Sequence, residues 1–97
     1  MRYEIELSPE AIEDLKRLKA NRRAHMKRAM ETYLRHEPTK TSKSRIRRLR
    51  GLSKPQYRLR VGDPRVFYDV SNREVEVLAI VAKADADAWL TKVGEKL

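Results

Sequence analysis

Three consecutive segments in the second half of the chain constrain the fold more than any other feature. In 57–61, Tyr57, Leu59 and Val61 point one way and Arg58 and Arg60 the other. In 65–70, Val66, Tyr68 and Val70 share one face, while Arg65, Phe67 and Asp69 share the opposite one. Val75 to Val81 is a nearly continuous β-branched run, suited to a strand inside a sheet. The breaks between them, Gly62-Asp63-Pro64 and Ser71-Asn72-Arg73, consist of turn residues. A period of two joined by turns this short predicts hairpin-connected, antiparallel strands.

The rest of the chain supplies the layer that such a sheet needs. Residues 2–7 alternate, with Tyr3, Ile5 and Leu7 on one face, and read as a half-buried strand. Ser8-Pro9-Glu10 then signals a helix start, with Ser8 as N-cap, Pro9 in the first position and Glu10 against the helix dipole. Ala11, Ile12, Leu15 and Leu18 form its apolar face. The pattern breaks around Ala20-Asn21, and a second helix from about Arg22 to His36 carries Met26, Ala29, Met30, Tyr33 and Leu34. Pro38 ends it, residues 39–44 form a polar loop, and Gly51 to Pro55 read as a turn. After Lys83, with Asp85 or Asp87 as the cap, a last helix presents Ala86, Leu90, Val93 and Leu97, with Trp89 flanking.

The expected fold is therefore α+β: an N-terminal strand, a helical hairpin, an antiparallel sheet of three to four strands, and a C-terminal helix. The helices should lie mainly on one face. Residues 1–97 make one domain. The 40% apolar content suffices for one small core, so wholesale disorder is excluded despite 38% charged residues. Lack of cysteine excludes a disulfide framework and a thiolate metal site. No apolar run approaches the ~20 residues that span a bilayer, so the expected location is the cytoplasm, with no membrane partner.

Charge narrows the function. Between Lys40 and Arg65 stand ten Lys or Arg against one acid, Asp63, so this window carries as much net charge as the whole chain, +9. Burying so much unpaired charge would cost too much, so the window is a surface, and a surface of this sign invites a polyanion. Its residues Lys40, Lys43, Arg45, Arg47, Arg48, Arg50 and Lys54 form an expected docking surface for RNA or an acidic protein. Other sites are poorly supported. His25 and His36 lie eleven apart in the second helix without acidic partners at ligand spacing, and no metal or other cofactor is expected. Asp85 and Asp87 are explained as helix-start acids, and Glu74 and Glu76 as a solvent-facing strand edge. The glycines at 51, 62 and 94 are isolated, so no phosphate loop exists, and no Ser-His-Asp or Cys-His set is visible.

Alternation sends Arg58 and Arg60 out of one sheet face, and the short turn allows Arg65 to join them. Lys83, at the end of the next strand, could complete the group. Cations converging in this way repel one another unless an anion sits between them. Guanidinium groups bind phosphate bidentately and stabilise the added charge of a phosphorane-like transition state. The residues alone leave open whether this face does chemistry or is a solvated protein-binding surface.

LRGLSKPQYRLRVGDPRVFYDV, followed by a short turn and VEVLAIVAK, resembles the RelE/ParE superfamily of toxins from bacterial type II toxin–antitoxin modules. With the preceding strand and helical hairpin, the resemblance spans nearly the whole chain. It implies a RelE-type ribosome-dependent endoribonuclease that cuts mRNA without metal. Arg58, Arg60 and Arg65 would act as catalytic residues with Lys83 assisting, and Trp89 would stand beside RNA. The resemblance equally admits a ParE-like DNA gyrase inhibitor, or a catalytically weak homologue acting through antitoxin and operator binding. Each reading implies a cognate acidic antitoxin whose amphipathic segment covers the basic face. The implied nucleic acids are ribosomal RNA around the mRNA, and operator DNA reached through the antitoxin. The chain departs from the ribonuclease pattern at Ala84, where a catalytic arginine is usual, and at Leu90, near the expected tyrosine.

Overall fold

The structure, a computed structural model, describes residues 2–97. Strand β1 (Glu4–Leu7) leads into helices α1 (Pro9–Arg17) and α2 (Ala20–Leu34). Strands β2 (Ile46–Arg48), β3 (Leu52–Lys54), β4 (Tyr57–Arg60), β5 (Arg65–Ser71) and β6 (Glu74–Val81) follow, then α3 (Lys83–Val93) and β7 (Glu95–Lys96). The main sheet has the order β1-β6-β5-β4-β2, with a small β3-β7 pair beside it. The expected meander is present: β4, β5 and β6 pair antiparallel, with Leu59 opposite Val66 and Val66 opposite Ile80.

Several expectations need correction. The sheet is mixed, because β1 runs parallel to β6: the α1–α2 hairpin returns the chain to the far end of the sheet before the meander begins. The two helices separate at Leu18 and Lys19, earlier than Ala20-Asn21, and α2 begins at Ala20. Arg23 holds this break by donating to the carbonyls of Leu15, Lys16 and Leu18. Leu52–Lys54 is a strand, because Glu95 and Lys96 supply its partner. The last helix consequently stops at Val93, and Leu97 is 85% exposed. At Gly94 a side chain would meet the Leu90 carbonyl at 2.6 Å and Leu52 at 3.3 Å, which explains the glycine at this junction. The cap of α3 is Ala82, with Asp85 in the first turn, so neither Asp85 nor Asp87 is the cap.

One core lies between the helical hairpin and the sheet. Ala11, Met26, Met30 and Leu34 pack on Leu59, Val66, Tyr68, Val75, Val77 and Ile80. Each large side chain buried there contributes roughly 1.5–3 kcal/mol. The buried Tyr68 hydroxyl donates to the Pro38 carbonyl at 2.6 Å, tying the loop after α2 to the central strand. Burial pushes its pKa well above the usual tyrosine range.

A bulge decides what the other face becomes. Phe67 faces Ala79 but Tyr68 faces Val77, so Leu78 is the extra residue in β6. Helix α1 satisfies the ladder groups this disturbs. Ser8 Oγ donates to the Leu78 carbonyl at 2.8 Å while accepting from Ala11 as the expected N-cap, and Asp14 accepts from the Ile80 amide at 2.9 Å. The small Ala79 beside Phe67 leaves space that the Trp89 ring of α3 fills, stacked at 4.8 Å and 16°. The helices thus lie on both faces: α1 and α2 on one, α3 across part of the other.

Candidate active site

The strand register assembles the site. Arg58 stands opposite Phe67 and Arg60 opposite Arg65, while Arg47 of the edge strand stands opposite Arg58. Since neighbours in register share a face, Arg47, Arg58, Arg60 and Arg65 all project from the side away from the helical hairpin. Phe67 and the α3 helix wall this face on its β6 side. None of the four arginines forms an ion pair with an acid among the described residues.

Arg58 is at the centre. Desolvation first, then the charges of Arg65, Arg47 and Arg60, hold its pKa below the ordinary arginine value. Its Nε is buried without a hydrogen-bond partner. A buried donor left unmade costs about 1–3 kcal/mol, and so does not persist for the sake of stability. Replacing Arg58 by Met removes both the repulsion and the orphan donor while keeping the packed stem. The expected result is stability equal to or higher than wild type by about 1 kcal/mol, the low end because the guanidinium reaches solvent. Thermal unfolding checks it, and a loss of more than about 1 kcal/mol would mean that Arg58 is structural.

Arg65 is brought to the same face but is differently employed. It is 8% exposed, and its Nη1 donates to the carbonyls of Gly62 (3.0 Å), Asp63 (2.6 Å) and Pro64 (3.3 Å). Gly62 has φ +63°, which lets the turn direct its carbonyls at the guanidinium. Arg65 therefore builds the β4–β5 turn and supplies field to Arg58, while the exposed Arg60 and Arg47 face solvent. Lys83 opens α3 two residues after Val81, the partner of Arg65, and is exposed, as is Ala84. The backbone therefore places Lys83 at the Arg60–Arg65 end of the site.

The remaining docking residues divide between the two sides of the sheet. Arg48 pairs with Tyr57, a core-side residue, and its guanidinium lies 5.3 Å from that ring. Arg45 lies over Tyr33 of α2 at 5.2 Å. Lys40, Lys43 and Arg50 are exposed, and Lys54 is half-buried in β3. Trp89 is engaged within the fold: it stacks on Phe67 and its indole N–H donates to Glu10 at 3.0 Å. Glu74 and Glu76 are exposed as expected, and both histidines lie on the outer surface of the α2 region. Sequence reasoning placed Arg47 with the docking residues rather than with Arg58. The signal was there in Ile46, whose inward direction turns Arg47 to the open face by period two.

Comparison with solved structures identifies the class to which this fold belongs. The archaeal RelE of a RelE–RelB complex from Pyrococcus horikoshii OT3 superposes with a TM-score of 0.70 at 23% identity, covering 86% of this chain and 97% of that one. A Mycobacterium tuberculosis RelBE2 toxin–antitoxin complex gives 0.63 at 22%, covering 84% and 99%. The Escherichia coli DinJ–YafQ complex gives 0.64 at 20%, covering 87% and 96%. The fold is that of the RelE/ParE toxins. A family model described as the ParE toxin of the type II toxin–antitoxin system parDE matches residues 5–86, and the chain belongs to that family. A search of curated proteins gave no match.

Proposed function

We propose that this toxin is a metal-free endoribonuclease of the RelE type, cutting mRNA on the ribosome. The observation that carries the reading is the convergence of Arg47, Arg58, Arg60 and Arg65 on one face with no ion-pair partner among the described residues, and with a buried Arg58 Nε unpaired. A non-bridging phosphate oxygen is the ligand that such a donor lacks. In the reaction, the RNA 2′-oxygen attacks phosphorus, the P–O5′ bond breaks, and a 2′,3′-cyclic phosphate and a 5′-hydroxyl result. Arg58 and Arg60 donate to the non-bridging oxygens, whose charge rises as the phosphorane forms. Arg65 holds the turn and sustains the local positive potential. The 2′-hydroxyl proton passes to water, and the Lys83 ammonium returns one to the departing 5′-oxygen. Ala84 contributes no donor, so Lys83 carries that step alone.

The solved relatives are complexes with antitoxins, which supports an acidic antitoxin as partner here, closing over the basic face and reaching operator DNA. Among the described residues no helix is long and apolar enough to cross a membrane, consistent with action in the cytoplasm. A second reading, inhibition of DNA gyrase without chemistry, is favoured by the parDE description of the family and by Ala84. Mapping mRNA ends after induction separates the two. Codon-phased cuts are expected, whereas growth arrest with intact messages and blocked supercoiling in vitro would move the function to gyrase.

A further inference from the structure

Three shallow recesses run into one another around the β2 edge of the sheet. The first, about 610 Å3, is lined by Thr41, Ser42, Arg47, Arg48 and Arg50. It shares Thr41, Ser42 and Ile46 with a second of about 270 Å3, which adds Tyr33, Lys40 and Arg45. That one shares Thr32, Tyr33 and Arg45 with a third of about 290 Å3, which reaches His25 and Arg28 on α2. Because Arg47 belongs to the open face, the track starts beside Arg58, rounds the edge and ends on the helical side. Its one acid, Glu37, is paired with Lys40.

We propose that this track binds a single-stranded nucleic acid, with the Arg45–Tyr33 stack as a platform for a base. It adds a second surface to the nuclease reading and is tested without cleavage. The cations follow a phosphate backbone, and the Arg45 guanidinium, 5.2 Å from the Tyr33 ring centroid and held by the Arg60 carbonyl at 3.2 Å, makes with that ring a cation–π pair against which any base can stack. An extended acidic peptide is the weaker fit, because the strand edge it would pair with is already used at Ile46. The Ser42 amide donates to the Ile46 carbonyl at 2.9 Å, and Ser42 Oγ accepts from Arg45 at 3.0 Å and from Ile46 at 3.4 Å. What the track leaves open is side-chain charge, hydroxyls and an aromatic stack, which suit a strand of nucleotides.

The test is fluorescence anisotropy with single-stranded deoxyoligonucleotides, which lack the 2′-hydroxyl that cleavage needs. Wild type should bind an oligomer of about 12 nucleotides at least tenfold more tightly than a trinucleotide, because only the longer strand engages the cations of all three recesses at once. Arg28→Gln with Arg45→Gln should lower the salt slope for the longer strand by about 1.4, two phosphates' worth. Tyr33→Leu should lose about tenfold in affinity, and Tyr33→Phe should restore it. Equal affinity at both lengths would overturn the track, as would a wild-type slope in the double variant. Loss of a poly-glutamate peptide by the double variant while oligomer binding is kept would assign the surface to protein instead, overturning the proposal. If Tyr33→Leu fails to fold, the double variant, on exposed residues, decides. Length-dependent binding alongside intact cellular mRNA would sustain the track and remove the nuclease reading.

Discussion

Replacing Arg58 and Arg60 by Met should abolish mRNA cleavage and toxicity while the protein remains folded. In the proposed reaction each group donates to oxygens whose charge grows in the transition state, and removing one donor of this kind costs on the order of 10²–10³ in rate. The two sit on the same strand and in that reaction share a phosphate, so the double variant need not lose the product of the singles. The pairing with stability makes the result interpretable. Arg58 is desolvated and repelled where it stands, so its loss should not lower the melting temperature. Arg65→Ala is the wrong diagnostic, because it strips the donor from carbonyls at the β4–β5 turn and would inactivate by unfolding the site. Single-turnover cleavage on programmed ribosomes, beside thermal unfolding of the same samples, measures both quantities. A stable double variant that cuts at the wild-type rate would take the chemistry away from this face.

Phe67→Ala should be the most damaging substitution outside the hairpin core. Phe67 is fully buried, backs Arg58 across the ladder and holds α3 through its stack on Trp89. Truncating a buried phenylalanine costs about 3–5 kcal/mol. That is a large share of the 5–15 kcal/mol available to a domain, and should lower Tm by well over about 10 °C. Trp89 is the chain's single tryptophan, so its fluorescence reports the loss locally. Emission should shift to the red as the indole leaves its stack. A loss under about 1 kcal/mol with unchanged emission would show that α3 is held by other contacts, chiefly the Glu10 hydrogen bond and the Gly94–Leu52 approach.

Much of the architecture was legible because it follows from local rules. Alternation at 57–61 and 65–70 placed Arg58, Arg60 and Arg65 on one face, and Ser8 was readable as a cap from its neighbours alone. The parallel pairing of β1 with β6 was not legible, since Glu4–Leu7 alternates identically whichever way its neighbour runs. Nor was the β3–β7 pair, whose strands are short and lie far apart in sequence. The Leu78 bulge escaped too, because an unbroken apolar run carries no mark of where its facing changes.

Charge and period are written residue by residue, so the chain alone determined an α+β domain with a basic face carrying three converging arginines. It could not say what each cation does. Arg65 looks like Arg60 in sequence, yet it is buried among turn carbonyls while Arg60 meets solvent. Trp89 reads as a free stacking group until Phe67 and Glu10 are found beside it. Arg45 and Arg47, two residues apart, point to different sides, Arg45 toward Tyr33 of α2 and Arg47 beside Arg58. Those differences depend on which segments fold against each residue, and only the tertiary structure decides desolvation, hydrogen-bond partners and access to a phosphate.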